Sequence, residues 1–339
     1  MDVPAFRAAL LTWYDAEART LPWRAPPGSG ERVDPYRVWL SEVMLQQTTT
    51  PHATPYFHAF TARWPSVADL AAAPDAEVMA AWAGLGYYAR ARNMLRAARA
   101  VTGDHGAVFP DTEAGLLALP GVGAYTAAAV AAIAFGRAAN VVDGNVERVV
   151  SRLFAVETPL PAARPELRRL AGSLVAEDRP GDWAQALMDL GAVICRPKSP
   201  SCERCPIAAF CAARKTGDPA RYPLKTKRAE RPRRHGVAWV MTDAQGRIGL
   251  MRRPDRGLLG GMSGLPTSDW GAPSDEAAPP VAADWRDAGS VEHVFTHFTL
   301  TLRVQTARAD APGLIWTDAD QARRALPTVF RKALDRALG

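Results

Sequence analysis

Leu119-Pro120-Gly121-Val122-Gly123 joins a glycine-rich turn to a single acid downstream, Asp143 of Val142-Asp143-Gly144-Asn145. Tyr125 stands two residues past the second glycine. Glycine turns a chain sharply and lets its backbone approach another molecule closely. The helix expected after the turn begins with free N–H groups, which suit an anion. No Lys-Ser or Lys-Thr follows, so the turn is not a nucleotide-binding P-loop. The phosphate it suits belongs to a nucleic acid backbone, with Gly121 and Gly123 against it and Asp143 near whatever is held. The four cysteines share one short stretch, Cys195-x6-Cys202-x2-Cys205-x5-Cys211. In a reducing compartment that clustering favours metal ligation over disulfides. Four thiolates in one loop hold a tetrahedral zinc or an iron–sulfur cluster, and spacing alone fits both. Arg196 and Lys198 lie between the first two ligands, either as a phosphate clamp or as ordinary solvated cations.

The chain of 339 residues is long enough for two domains with ordinary cores. A formal charge of +6 and a pI near 9.3 lean toward a polyanionic partner. Met1-Asp2-Val3-Pro4 carries no basic region followed by an apolar run, so no targeting segment is read there. The longest apolar run, Ala127 to Phe135, is too short to span a bilayer, so no membrane partner is expected. A cytoplasmic monomer associated with nucleic acid is the expectation.

The elements that position these residues are helices as far as about residue 215. Pro4 to Arg19 repeats apolar residues at helical period through Phe6, Leu10, Trp13 and Tyr14. Asp34-Pro35 starts another helix, with Asp34 as N-cap and Pro35 in the first turn. Its apolar side carries Tyr36, Trp39, Leu40, Val43 and Met44, while Glu42 and Gln46 share a different stripe. The segment from about Ala124 to Phe135 is alanine-rich and suited to close packing, and Asp182 to Ile194 is the last helix before the cysteines. Tyr222 to His235 is basic and broken by prolines, which reads as an extended linker. Beyond it the period shortens. Gly236 to Thr242, Arg247 to Met251 and Thr299 to Gln305 read as strands, 271 to 284 as a mobile loop, and Thr317 to Leu338 as a helix. The expected organisation is a helical domain over 1–215, a linker over 216–235 and an α+β domain over 236–339.

The hairpin, Asp143 and the cysteine loop together resemble the helix-hairpin-helix DNA glycosylase superfamily. Within it, Trp39-Leu40-Ser41-Glu42-Val43-Met44-Leu45-Gln46-Gln47-Thr48 and Gly84-Leu85-Gly86-Tyr87-Tyr88-Ala89-Arg90-Ala91-Arg92-Asn93 resemble signatures of the MutY-type adenine DNA glycosylase family. The resemblance covers nearly the whole chain. It implies an all-α helix-hairpin-helix glycosylase domain with a MutT-like α+β domain behind it, and a [4Fe-4S] cluster on Cys195, Cys202, Cys205 and Cys211. The implied partner is double-stranded DNA carrying adenine opposite 8-oxoguanine or guanine.

The chemistry this implies has its own rationale. The adenine anion is a poor leaving group, so breaking its N-glycosidic bond requires a protonated base. A glutamic acid in a dry pocket keeps its proton near neutral pH. By resemblance Glu42 protonates adenine, and Asp143 stabilises the oxocarbenium-like sugar, either as a charge or through a transient covalent adduct. Tyr125 stands where bifunctional relatives of the endonuclease III type have a lysine. A phenol forms no Schiff base, so base removal without efficient strand nicking is implied. The target base must leave the stack first. Gln47 and Tyr87 match residues that wedge at the lesion pair, with Thr48 and Leu85 beside them. Arg19, Trp23, Arg24, Gln46 and Gln185 match residues around the flipped adenine, and Asn145 one near the sugar and water. Residues 25 to 33 depart from the pattern, being longer and richer in Pro and Gly.

In the C-terminal part Phe295-Thr296-His297 matches the 8-oxoguanine-sensing loop, with Thr where Ser is common. No glutamate-rich Nudix hydrolase pattern occurs there, so a pyrophosphatase is not expected. Two other readings stay open: a thymine or uracil glycosylase of the same superfamily, and a non-catalytic DNA-binding or redox-signalling iron–sulfur protein. Glu42 with the 295–297 loop speaks against the first, and the two carboxyl groups beside the hairpin against the second.

Overall fold

A computed structural model describes residues 1–175, 177–226, 231–254, 257–271 and 277–339. The chain divides into two compact units, Met1–Thr226 and Lys227–Gly339. The first is built from α1 (Val3–Glu17), α2 (Pro35–Leu45), α3 (Thr50–Arg63), α4 (Val67–Ala72), α5 (Asp75–Ala81), α6 (Ala89–Asp104), α7 (Glu113–Leu117), α8 (Ala124–Phe135), α9 (Gly144–Phe154), α10 (Arg164–Gly172), α11 (Pro180–Asp189) and α12 (Ala212–Lys215).

This unit has two apolar cores. One gathers α2 to α6 with most of α8; the other gathers α1, α9, α10 and α11. Tyr125 and Ile133 of α8 pack against both. Alanine makes α8 narrow enough for that place: Ala127 to Ala132 are buried along with Val130. Even the Cα–H of Gly181 on α11 lies close, since a Cβ there would meet the Ala132 carbonyl at 3.0 Å. Helix α2 starts as its sequence suggests, with Asp34 accepting from the Tyr36 N–H at 2.9 Å. It differs in having no wet side over most of its length. Val38 to Met44 are all buried, Ser41 and Glu42 included. The stripe carrying Glu42 faces the interior of the unit, where it borders a pocket.

The expected helix from 182 to 194 is α11 followed by a wider π-type turn, Leu190–Ile194, which delivers Cys195. The expected linker is partly folded. Tyr222 is buried, its carbonyl accepts from Arg152 Nε at 3.0 Å, and the Leu160 N–H donates to the Leu224 carbonyl at 2.8 Å. Residues up to Thr226 therefore belong to the helical unit, while Arg233–His235 already form a strand. Residues 227–230 of that stretch lie outside the described residues.

The second unit contains β1 (Arg233–Thr242), β2 (Ile248–Arg252), β3 (Ser263–Gly264), β4 (Arg286–Val294), β5 (Thr299–Arg308) and β6 (Ile315–Thr317). Their order is β3-β2-β1-β5-β4, with β6 also on β2. β1 and β5 run parallel from Arg233↔Thr299 to Thr242↔Arg308. β4 was not expected as a strand. It alternates half-buried and exposed residues in a polar sequence and pairs only with β5, so it carries little apolar signal. The single helix expected over 317–338 is two, α13 (Ala319–Ala325) and α14 (Thr328–Leu338), because Pro327 breaks it. Their apolar faces cover Leu300, Leu302 and Val304 of the sheet. Of the expected loop 271–284, residues 272–276 lie outside the described residues.

The glycine turn between α7 and α8 separates its two glycines. Gly121 has φ +74°, and a Cβ there would sit 2.5 Å from Asn93 Cβ. Gly123 is the N-cap of α8 at φ −93°, with nothing within 4 Å of a built Cβ. Gly121→Ala is expected to cost about 2 kcal/mol and lower the thermal midpoint by about 4–8 °C. Gly123→Ala is expected to move it by no more than about 2 °C. Differential scanning calorimetry of the two variants checks the contrast, and equal losses would contradict it.

Candidate active site

A pocket of about 720 Å³ opens in the helical unit, with walls from α2, α8, α9, α11 and the 19–24 segment. It brings together Arg19, Trp23, Arg24, Glu42, Gln46, Gln47, Thr48, Tyr125, Asp143, Asn145 and Gln185, all expected site residues. Leu85 is not among them; it is buried in the first core, where an apolar side chain gains more than at a wet surface. Tyr87 is exposed on the turn before α6. Arg196 and Lys198 are exposed on the cysteine loop, where Arg196, among the described residues, reaches Ser199 and Ser201.

Glu42 enters from α2, and the Tyr125 hydroxyl of α8 donates to its Oε2 at 2.7 Å. Burial pushes the Glu42 carboxyl up to about 7. The Tyr125 hydrogen bond pulls it down, the negative charge of Asp143 pushes it up, and Arg24 pulls it down again. Burial, with the charges of Glu42 and Asp143 behind it, holds the Tyr125 hydroxyl well above the usual phenol range, so Tyr125 remains a donor. Asp143 caps α9. Its Oδ1 accepts from the Val146 N–H at 2.7 Å and its Oδ2 from Asn145 Nδ2 at 2.8 Å. Capping and chemistry are compatible here, because the cap is what fixes the carboxylate at the pocket wall.

Arg19 and Arg24 share one acid that sequence reasoning missed, Asp189 at the end of α11. Arg24 grips it with both terminal nitrogens, at 2.7 and 2.9 Å. Arg19 adds Nε at 2.7 Å and its backbone N–H at 3.0 Å. Burial alone would raise the Asp189 carboxyl, but the bonds and charges of Arg24 and Arg19 hold it below the usual range. Asp189 is fully buried, so losing both cations would strand a charge, and losing one would leave it with a single partner. The available signal was its place four residues after Gln185, on the same helix face, with two cations needing an anion.

A second set of contacts joins the pocket to the cysteine loop. Arg148 Nη2 donates to Asn145 Oδ1 at 2.8 Å and to the Gly191 carbonyl at 2.7 Å, while its Nε donates to the Cys195 carbonyl at 2.8 Å. Gly191 has no room for a side chain: a Cβ would lie 2.6 Å from Asn145 Cβ. The buried Arg152 donates to the carbonyls of Cys195, Arg196 and Pro197, and to Cys195 Sγ at 3.2 Å. All four cysteines line one apolar cavity with Ile194, Ile207 and Arg152. Burial pushes the Cys205 thiol up to about 12 and raises Cys202 and Cys211, with neighbouring cysteines adding to each. The thiols ring the cavity; among the described residues no three His, Cys, Asp or Glu side chains are placed around a single metal ion.

In the second unit, Phe295, Thr296 and His297 form the tip between β4 and β5, closed by the Phe295 N–H on the Phe298 carbonyl at 2.9 Å. Phe295 stacks on Trp270 with centroids 5.9 Å apart, and His293 meets its edge at 4.6 Å. Thr296 and His297 are exposed. Among the described residues no helix is long and apolar enough to cross a membrane.

Residues 40–172 match the HhH-GPD superfamily of base excision DNA repair proteins, and residues 237–336 match the NUDIX domain. The chain is 34% identical to the adenine DNA glycosylase of Homo sapiens over 99% of this chain and 74% of that one. It is 40% identical to the adenine DNA glycosylase of Mycolicibacterium smegmatis (strain ATCC 700084 / mc(2)155) over 62% of this chain and 70% of that one. Among solved structures it resembles a thermostable thymine-DNA glycosylase, with TM-score 0.57 and 32% identity over 63% of this chain and 97% of that one. An endonuclease III trapped in a covalent intermediate with DNA shares the fold, with TM-score 0.52 and 22% identity over 64% and 99% of the two chains.

The Tyr125–Glu42 contact sets a pH dependence whose sign is fixed. Glu42 is the proton-bearing form below about 7 and loses it above. A donor to its oxygen favours the ionised form, so removing that donor raises the carboxyl further. Tyr125→Phe is therefore expected to move the alkaline limb of kcat/KM to higher pH, by about half a unit or more. A pH–rate profile reads this directly, and a limb moving to lower pH would contradict the geometry.

Proposed function

The chain belongs to the adenine DNA glycosylase family, a DNA N-glycosylase that removes adenine in base excision repair, and from that premise we propose that it takes adenine from pairs with 8-oxoguanine or guanine by hydrolysis alone, without efficient strand cleavage. The observation that carries this is the Glu42–Tyr125 contact in a pocket that also holds Asp143. Glu42 holds its proton near neutral pH and delivers it to a ring nitrogen of the extruded adenine. The glycosidic electron pair leaves with the protonated base, so the departing group is neutral. Positive charge grows on the sugar, and the Asp143 carboxylate, held on both oxygens, stabilises it. Water then completes the exchange at the sugar carbon. No amine stands at position 125 to trap that carbon, so the sugar stays in the strand.

Cys195, Cys202, Cys205 and Cys211 would hold the [4Fe-4S] cluster. Four thiols around a shared cavity suit a multi-atom cluster better than one ion, whose sulfur ligands converge to about 2.3 Å from a point. Buried thiols raised this far also call for positive charge to ionise them. When bound, the cluster supplies iron–thiolate bonds that cross-link the 195–211 loop, which leaves Arg196 and Lys198 exposed toward phosphate. For the second unit, the exposed tip at Thr296 and His297, stiffened by the Phe295–Trp270 stack, supports an 8-oxoguanine sensor.

Single-turnover assays on duplexes with A:8-oxoguanine, A:G and T:G pairs test the reading. Adenine release from the first two, none of thymine, and no borohydride-trapped adduct are expected. Glu42→Gln is expected to lower adenine release by about 10²-fold or more while duplex binding persists. Thymine release, or a turnover by Glu42→Gln close to wild type, would reject the proposed chemistry. A chain ending at Thr226 is expected to lose preference for 8-oxoguanine over guanine, while its A:G rate falls by less than about tenfold. Equal losses on both pairs would remove lesion sensing from the second unit.

A further inference from the structure

Among the non-glycine residues of the helical unit that hold left-handed backbone are Gln47, which lines the pocket, and Tyr87, on the turn before α6. Gln47 has φ +59° and Tyr87 has φ +48°. Such conformations persist only where the surroundings over-determine them. Here one side chain does much of that. Arg90 Nη1 donates to the carbonyls of Val43 and Met44, at 3.0 and 3.1 Å, where α2 runs out into the Gln46–Thr48 turn. Its Nη2 donates to the carbonyls of Leu85 and Gly86, at 2.8 and 3.2 Å, immediately before Tyr87. The same guanidinium lies over the rings of Trp82 and Tyr87, 5.2 and 5.7 Å from their centroids.

The 83–87 turn is pinned from other sides as well. Trp82 Nε1 donates to the Gly86 carbonyl at 3.0 Å, and the Tyr56 hydroxyl donates to the Ala83 carbonyl at 2.9 Å. Gly84 has φ +103°, and a Cβ there would fall 2.1 Å from the Tyr56 hydroxyl. All this rigidity serves a ring that is not buried, since Tyr87 is 62% exposed. A tightly held, exposed aromatic ring is a stacking surface for a base. Gln47, exposed at the pocket edge, brings an amide that donates and accepts.

We propose that Arg90 is a positioning residue that ties the Gln47 turn and the Tyr87 turn into one stiff ridge, and that the wedge implied for those two residues depends on this tie while the target adenine is extruded. The idea rests on the adenine-removing activity above but adds a separate role. Capping α2 alone would require only the Val43 and Met44 carbonyls. The planar fork reaches two chain segments at once, which an ammonium group does not reproduce.

The test replaces the target adenine by fluorescent 2-aminopurine opposite 8-oxoguanine, in full-length protein carrying Glu42→Gln. At saturating protein, adding Arg90→Ala is expected to lower the extruded fraction about tenfold, Tyr87→Ala to lower it similarly, and Arg90→Lys to fall between. With Glu42 intact, the single-turnover rate of Arg90→Ala is expected to fall as far on A:8-oxoguanine, yet stay within about threefold of wild type on adenine facing an abasic-site analogue, where no pair has to be broken. An unchanged extruded fraction overturns the proposal. So does an equal loss on both substrates, which would assign Arg90 to support of α2. If Arg90→Ala unfolds, shown by lost helical dichroism, Arg90→Lys carries the test, and wild-type extrusion by it overturns the proposal. A wild type that extrudes 2-aminopurine normally but releases no adenine refutes the proposed activity instead, leaving the fluorescence result on Arg90 to stand.

Discussion

The burial of one carboxyl group is the constraint on which the pocket depends. Glu42 holds its proton up toward neutral pH because its side chain is buried, and it is buried because α2 is enclosed over most of its length. That enclosure requires neighbours on two sides. Apolar packing from α3 and α6 supplies one, and the alanine surface of α8 the other. Its cost is the desolvation of an ionisable group, which the protein meets by leaving Glu42 protonated near neutrality and giving it one donor, Tyr125. Arg24 tempers the balance. Its charge pulls Glu42 down, against burial and Asp143, while two direct hydrogen bonds tie its guanidinium to Asp189.

Asp143 sits in a different setting. Its two oxygens are satisfied by a backbone N–H at a helix start and by the Asn145 amide. The pocket thus contains two carboxyl groups held in different ways, Glu42 buried with one hydroxyl donor and Asp143 fixed by two N–H donors at a helix start. Asn145 is in turn held by Arg148, whose other bonds end on the Gly191 and Cys195 carbonyls. The position of Asp143 is consequently linked, contact by contact, to the first residue of the four-cysteine loop.

Much of this was legible in the sequence because it depends on local rules. Asp34-Pro35 announced α2, Gly121 announced the turn, and the cysteine spacing announced a loop whose four thiols share one cavity. Glu42 and Asp143 were found through flanking signatures; by themselves each resembles a surface acid or a cap. What stayed hidden depends on distance in the chain. Asp189 meets Arg19 and Arg24 across 170 and 165 positions. Arg90 bonds carbonyls 46 and 47 positions away, and carbonyls have no sequence identity to read. Leu85 was expected beside DNA but is core, because its neighbours Gly84 and Gly86 turn the chain so that Tyr87 faces out instead. Strand β4 was missed because an edge strand with a polar face carries no strong period.

Tyr125 joins these strands of argument physically. With Ile133, it is a side chain of α8 that packs against both apolar cores, so it lies on the seam between the part that supplies Glu42 and the part that supplies Asp143. A smaller side chain there would loosen the seam as well as remove a hydrogen bond. A lysine would bring a charge into a site whose depth already raises Glu42 by burial, and the two would pair, which would hold the carboxyl ionised. An acid that must stay protonated and an amine that must stay neutral to attack thus make competing demands on one small volume. The phenol removes the conflict: it donates to Glu42, stays un-ionised because burial and the two carboxyl groups hold its proton, and offers no nucleophilic nitrogen.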